Sequence, residues 1–254
     1  YPCPQYRQSG DIDFYCPPQS FDAAVDALQN AWGVKLERPD EDHAIEFYHG
    51  KVLLEMHFDT LDFNTKADRL YWNQLLSDMP TDFIVVNGLK VPTLAPTLNV
   101  LYTFLHLYFH LIELGVGLRQ FCDVAVLLHA LRDKIDRTAL QQHLKILNFT
   151  LAFEAIGWIL IDKLGLPLED FPLPISEKAK RYENDILRIV FRGGNFGMQA
   201  KHHAVRSGFR YYWETLRIKL HHYRLFYALS PRHIRATLLG ELPRRTLTLL
   251  GTKK

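Results

Sequence analysis

The chain has 254 residues, of which 48% are hydrophobic and 13% aromatic, and this composition excludes an intrinsically disordered protein. The formal net charge is only +2, but residues 201–254 carry +10 and residues 1–200 carry −8. No apolar run reaches the length of a membrane-spanning helix, so we expect no membrane span. The sparse, odd set of three cysteines predicts a reducing environment such as the cytoplasm.

Residues 1–93 predict an α+β domain with a mixed sheet, whose N-terminal part we expect upstream of Tyr1. Ser20 and Asn64 are predicted N-caps, and His49-Gly50 and Asn87-Gly88 are predicted hairpin turns. In chain order the predicted elements are a strand at 10–15, a helix at 21–32, strands at 34–37, 44–48 and 52–58, a helix at 65–77, and strands at 83–86 and 89–91.

Residues 94–254 predict a helical domain with a basic C-terminal region. A proline-rich connector at 167–174 separates the earlier helices from the later ones, and the glycine-rich stretch at 191–197 predicts a flexible loop rather than a phosphate-binding motif. The predicted helices cover residues 97–114, 118–132, 137–147 (with Asp136 as N-cap), 151–164, 177–191 and 203–227.

The first predicted strand contains Asp11-Ile12-Asp13. Because side chains alternate along a strand, Asp11 and Asp13 lie on the same face. Two carboxylates held side by side repel each other unless a cation lies between them. Mg²⁺ prefers such oxygen ligands and is commonly shared with substrate phosphates, so the pair predicts a site for Mg²⁺ or Mn²⁺.

A third carboxylate follows from the same alternation in the strand at 52–58. Glu55, His57 and Asp59 share one face there, opposite an apolar face. If this strand lies beside the first, Glu55 joins Asp11 and Asp13, with His57 and Asp59 as further candidate ligands. A trio of this kind, holding two metal ions, would align a nucleoside triphosphate for attack by a hydroxyl group. A cross-strand pairing of Glu55 with a surface cation is the alternative.

The sequence resembles the nucleotidyltransferase superfamily with a polymerase-β-like fold, and more narrowly an uncharacterised bacterial nucleotidyltransferase family. The resemblance rests on Arg7-Gln8-Ser9-Gly10-Asp11-Ile12-Asp13-Phe14, on Glu55-Met56-His57, on His106-Leu107-Tyr108-Phe109-His110 and on Leu118-Arg119-Gln120-Phe121-Cys122-Asp123. It implies a metal-dependent enzyme that transfers a nucleoside monophosphate from an NTP to an unknown hydroxyl acceptor. Asp11, Asp13 and Glu55 would be its catalytic and metal-binding residues.

The superfamily also places a Gly-Ser or Gly-Gly turn, which cradles phosphate, about ten residues before the first aspartate. None of the ten residues before Asp11 forms such a turn, so either the motif lies upstream of Tyr1 or this family has altered it. If the motif is absent, a role in binding alone gains weight.

Further candidate substrate-binding residues are Arg7, His57, His106, His110, Arg119 and Asp123. His106 and His110 are four residues apart on one helical face, as in a zinc-protease helix, but Leu107 stands where that motif needs glutamate. They are either hydrogen-bonded core residues or contacts to substrate. Arg119 and Asp123 have the same spacing and are either a structural pair or substrate contacts.

Two other functions remain open from the sequence. An Asp-x-Asp strand also occurs in metal-dependent glycosyltransferases, which use nucleotide-sugars. Alternatively, the chain is a catalytically inactive nucleotide- or nucleic-acid-binding module, in which a basic and aromatic helix contacts nucleic acid. That helix contains Arg206, Arg210, Tyr211, Tyr212, Trp213, Arg217, Lys219 and Arg224.

Overall fold

A computed structural model describes residues 1, 3–7, 10–36, 44–78, 81–193 and 209–241. The strands are β1 Asp11–Tyr15, β2 Ala44–His49, β3 Val52–His57, β4 Asp82–Val86 and β5 Leu89–Thr93. The helices are α1 Phe21–Trp32, α2 Lys66–Asp78, α3 Pro96–Glu113, α4 Leu118–Leu131, α5 Arg137–Leu147, α6 Thr150–Asp162, α7 Glu177–Lys180, α8 Glu183–Gly193, α9 Phe209–Phe226 and α10 Pro231–Ala236. Single helical turns at Pro4–Tyr6, Pro18–Ser20, Leu168–Asp170 and Thr237–Glu241 complete the described elements.

The predicted α+β class is confirmed, with a small mixed sheet near the N-terminus followed by helices. The chain divides into two compact units, Tyr1–Asp62 and Phe63–Lys254. Helix α2 and the β4–β5 hairpin therefore belong to the same compact unit as the later helices, although the sequence interpretation grouped them with the sheet. The domain boundary after residue 93 remains a prediction.

The first unit is a three-stranded sheet with the order β1-β3-β2. β1 runs parallel to β3, and β2 pairs with β3 as an antiparallel hairpin. Gly50 makes the tight connection with φ 62°, a conformation that glycine adopts without steric penalty. The apolar face of the sheet packs on α1, with Phe21, Phe47 and Met56 buried at the centre. Burying each such side chain contributes roughly 1.5–3 kcal/mol, so this apolar face fixes which side of the sheet remains open.

The second unit contains the β4–β5 hairpin and the helices. Asn87 and Gly88 both have positive φ, as a two-residue hairpin turn requires, which confirms the predicted Asn-Gly turn. Helix α3 is central because α4, α5, α8 and α9 all contact it, and Phe104 and Tyr108 on it are fully buried. None of the described helices combines the length and the apolar character needed to cross a membrane.

The predicted strand at 34–37 is wrong at residues 34–36, which form irregular chain, and Glu37 lies outside the described residues. Leu36 is buried in the core of the first unit, and the side-chain amide of Gln29 donates a hydrogen bond to its carbonyl oxygen (3.3 Å). The apolar alternation at these positions therefore reflects core packing after α1 rather than pairing with another strand.

The N-cap of α2 is Thr65 rather than the predicted Asn64. The hydroxyl of Thr65 accepts a hydrogen bond from the backbone N–H of Asp68 (3.1 Å) and donates one to the Asp68 carboxylate (2.6 Å). Asn64 instead donates its side-chain amide to Thr237 Oγ1 (2.6 Å), 173 residues later in the chain. A partner so distant in sequence leaves no local signal for this choice.

The later helices differ from the predictions mainly at their ends. The predicted N-cap Asp136 is confirmed, because its side chain accepts from the backbone N–H of Ala139. The predicted helix at 177–191 is two helices, α7 and α8, separated by Arg181 and Tyr182. Residues 194–197 of the glycine-rich stretch, and residues 203–208 of the last predicted long helix, lie outside the described residues.

Candidate active site

One face of the first unit's sheet is acidic. Parallel pairing places Asp13 opposite Glu55, and antiparallel pairing places Glu46 on the other side of Glu55. These three carboxylates therefore form one row across β1, β3 and β2. The neighbouring rows on the same face are Tyr15–His57–Ala44 and Asp11–Leu53–Tyr48. The opposite face of the sheet packs against α1, so a ligand can reach these carboxylates only from the acidic face.

Three potential metal ligands meet on this face. Asp13, Glu55 and His57 each offer one ligand atom, and these three atoms all lie within 4.8 Å of one another. His57 Nε2 is 2.9 Å from Asp13 Oδ1 and 3.5 Å from Glu55 Oε2. Side-chain exposure rises from 9% at His57 to 22% at Glu55 and 36% at Asp13. The group is thus anchored at the histidine and accessible at the aspartate.

The surroundings of Glu55 raise the pKa of its carboxyl group. Burial raises the pKa of the Glu55 carboxyl to about 7, and the negative charges of Asp13, Asp11 and Glu46 act in the same direction. The charge of His57 acts in the opposite direction and is smaller. A carboxylate that resists ionisation because of its neighbours would be stabilised by a bound cation.

His57 is held by the same carboxylates. Burial by itself lowers the pKa of His57, but the hydrogen bond with Asp13 and the charges of Asp13, Glu55 and Asp11 outweigh burial and raise it. When protonated, the imidazolium donates from Nε2 to Asp13 Oδ1 and orients that carboxylate.

Of the predicted trio Asp11, Asp13 and Glu55, the structure brings together Asp13 and Glu55, with His57 as the third member. Asp11 lies on the same face, two residues before Asp13, but in register with Leu53, and its carboxylate does not belong to the tight group among the described residues. His57 occupies that third position. The role of Asp11 as a metal ligand remains a prediction, and its charge acts on both Glu55 and His57.

The donor set fits a divalent cation. Carboxylate oxygens suit Mg²⁺ and Mn²⁺, and an imidazole nitrogen beside them suits Mn²⁺ and other transition metals better than Mg²⁺. Asp13 and Glu55 are the oxygen donors, and His57 is either a third ligand or the donor that holds Asp13 in position.

Arg7 lies in the irregular chain before β1 and is half-buried, so it stays a predicted phosphate contact. Asp59 follows β3, two residues after His57, and is also half-buried.

The histidines predicted in the helical unit do come together. His106 Nε2 and His110 Nε2 are 2.8 Å apart on α3, so one ring donates a hydrogen bond to the other. The His106 ring also stacks on Tyr102, and Tyr102 stacks on Trp72. Both histidines are half-buried and share this hydrogen bond, and the predicted substrate contact stays a prediction.

Arg119 and Asp123 lie one turn apart on α4 and are half-buried. The Nε atom of Arg119 is enclosed and has no hydrogen-bond partner among the described atoms. Their predicted contact to substrate stays a prediction.

The basic helix differs from the predicted nucleic-acid surface at Lys219. This lysine is buried, and its Nζ lies 2.7 Å from Glu113 Oε2 on α3, so it holds two helices together. Trp213, Arg217 and Arg224 are exposed on α9. Arg206 and the side chains of Arg210 and Tyr211 lie outside the described residues. Contact with nucleic acid therefore remains a prediction.

Sequence reasoning did not single out Glu46. Its position two residues after Ala44 on the alternating strand β2 was readable, but its place opposite Glu55 depends on the hairpin register.

Comparison with known proteins assigns the chain to a family. The family model described as "Uncharacterised nucleotidyltransferase" matches residues 1–162, which is more than half of the chain and includes the whole acidic face. No curated protein and no solved structure gives a significant match. The chain therefore belongs to the uncharacterised nucleotidyltransferase family and is a transferase.

Proposed function

We propose that the chain transfers a nucleoside monophosphate from an NTP to a hydroxyl acceptor, with Mg²⁺ or Mn²⁺ held by Asp13 and Glu55. The observation that carries this proposal is the convergence of Asp13, Glu55 and His57 on the open face of the sheet. The family match supplies the reaction class, and the carboxylates supply the place for it.

Each residue of the group has a different role, which follows from its surroundings. His57 donates to Asp13 Oδ1 and fixes the orientation of that carboxylate. Glu55 places its carboxylate beside Asp13, and an oxygen of Glu55 that does not bind the cation suits a general base for the acceptor hydroxyl. Asp11 adds negative charge beside them. A bound divalent ion would supply neutralisation of the triphosphate and of the charge that develops on the leaving group.

The reaction balances as a single displacement. The acceptor hydroxyl oxygen bonds to the α-phosphorus while the bond from that phosphorus to the bridging oxygen of the β-phosphate breaks. The hydroxyl proton passes to a Glu55 carboxylate oxygen, and pyrophosphate leaves.

The first experiment measures ligand binding, because it does not need the acceptor. Isothermal titration of Mn²⁺ alone, and then of ATP, GTP, CTP and UTP with Mg²⁺, is carried out on the full chain and on Asp13→Asn, Glu55→Gln and Asp11→Asn. We expect the first two substitutions to weaken Mn²⁺ binding by about tenfold or more, since each removes a charged ligand.

Glu46→Gln is the matched control, since it removes one carboxylate from the same row but outside the ligand group. Its metal affinity should stay close to that of the wild type. Unchanged Mn²⁺ affinity in both Asp13→Asn and Glu55→Gln would refute the metal site. Preference for UDP- or GDP-sugars over NTPs would favour a glycosyltransferase, and nucleic-acid binding that ignores Mg²⁺ would favour an inactive binding module.

A further inference from the structure

A second candidate site lies in the helical unit, where α8 and α9 meet the end of α3. A cavity of about 560 Å³ opens between these helices, which is within the range of small-molecule sites. Its apolar wall consists of four aliphatic side chains, Leu114, Ile189, Ile218 and Leu225. The rest of the lining is charged or polar, so the cavity combines aliphatic side chains with ionic groups.

Arginines dominate the charged side. Arg188 is hydrogen-bonded to Asp185 at 2.9 Å, one turn earlier on α8. Arg192 and Arg217 also line the cavity, and within the described part of the chain neither has an ion-pair partner. Glu214 is the other lining carboxylate. The three arginines and two carboxylates of the lining together carry a net positive charge.

The buried His222 does not add to this charge. His222 lines the cavity from α9, and burial, with a smaller contribution from His221, lowers its pKa to about 4. It is therefore uncharged at neutral pH. Guanidinium groups present planar pairs of N–H donors that match phosphate oxygens. Two guanidiniums that have no ion-pair partner among the described residues, in a cavity that also has aliphatic side chains, thus suit an anion with an apolar part.

We propose that this cavity binds an organic phosphate, with the phosphate at Arg192 and Arg217 and the apolar body against Ile189, Ile218 and Leu225. The site is independent of the proposed catalytic function, because its residues are Leu114, directly after α3, and residues of α8 and α9, and none belongs to the acidic face.

The probe is phenyl phosphate, titrated calorimetrically into the full chain in the presence of a chelator. Inorganic phosphate, phenol and benzoate report separately on the phosphate, the ring and a different anion. We expect phenyl phosphate to bind more tightly than any of the three. Arg217→Gln should weaken phenyl phosphate binding by about tenfold or more, because it removes a charge-assisted contact.

Arg224→Gln is the matched control, since Arg224 is exposed on the same helix but does not line the cavity. It should leave the affinity unchanged, as should Asp13→Asn, which tests independence from the proposed metal site. Arg217→Lys keeps the charge without the paired donors and should give an intermediate affinity. The proposal is overturned if phenyl phosphate does not bind, if benzoate binds equally well, or if Arg217→Gln and Arg224→Gln weaken binding to the same extent.

Discussion

Replacing Glu55 by glutamine should stabilise the metal-free protein, although it removes a proposed ligand. At pH 8 the folded protein carries Glu55 as a carboxylate beside Asp13 and Asp11 and opposite Glu46. The unfolded chain carries the same charge in water without these neighbours. Glutamine has nearly the same shape and no charge, so it removes the cost of burying the charge and the repulsion from its neighbours, which only the folded state contains.

The magnitude follows from the shift in pKa. Raising the pKa from 4.5 to about 7 corresponds to at most about 3 kcal/mol, at 1.36 kcal/mol per pKa unit. Because Glu55 keeps contact with solvent, screening reduces this to about 1–2 kcal/mol. The melting temperature of a protein of this size should then rise by about 2–6 °C in the presence of a chelator.

The pH dependence has a definite sign. Since the folded pKa lies above the unfolded value, the wild type loses stability as the pH rises from about 4.5 through 7. The advantage of Glu55→Gln should therefore be complete at pH 8 and disappear near pH 4.5.

Calorimetric unfolding with chelator and with Mn²⁺ tests both halves of this reasoning. Mn²⁺ at 100 times its dissociation constant should stabilise the wild type by about 2.7 kcal/mol and Glu55→Gln much less, which removes or reverses the order of stability. Glu46→Gln should gain less than about 1 kcal/mol without metal and keep the response to Mn²⁺. The reasoning is refuted if Glu55→Gln is no more stable than the wild type at pH 8 without metal, or if Mn²⁺ raises the melting temperature of both equally.

Three further predictions concern the helical unit. Gly157→Ala should destabilise this unit by about 1–2 kcal/mol in urea unfolding, because the new Cβ would lie about 2.5 Å from Cε2 of the buried Phe171 ring. This overpacking outweighs the gain in helix propensity. The double variant Gly157→Ala/Phe171→Leu should recover most of the lost stability. Lowering the pH from 6.5 to 4 should cost up to about 3 kcal/mol through His233, whose pKa burial lowers to about 4, and an equal loss in His233→Phe would contradict this. Asp68→Ala should cost about 2–4 kcal/mol, since it breaks the buried contact with Arg232 and the Thr65 hydrogen bond, whereas a loss below about 0.5 kcal/mol would show that the pair is unimportant.

Local patterns were sufficient for much of the fold. Alternation placed Asp13, Glu55 and His57 on outward faces of their strands, and the sheet bears this out. The Asn87-Gly88 turn required no information beyond two residues, since both need positive φ. Where a structure depends on one short segment, the sequence of that segment is adequate to predict it.

Pairing between distant segments was not predictable in the same way. Alternation identifies the face of a strand, but a shift of register by two residues keeps every face and changes every neighbour. Such a shift decides whether Asp11 or Asp13 lies opposite Glu55, and hence whether His57 or Asp11 completes the group. Likewise, Lys219 has the sequence environment of a solvated basic face, and only its contact with Glu113 on another helix shows that it is buried.

The acidic face also distinguishes a functional site from a structural one on energetic grounds. Buried ionic groups that serve the fold have partners of opposite charge, as Asp68 has in Arg232 and Lys219 has in Glu113. Burial raises the pKa of Glu55 to about 7, and three neighbouring carboxylates add to this effect more than His57 opposes it. An arrangement that destabilises the folded protein persists only where another molecule removes the penalty. A divalent cation bound to Glu55 removes it directly, so the same burial and repulsion that should make Glu55→Gln more stable are the physical reason to place the metal there.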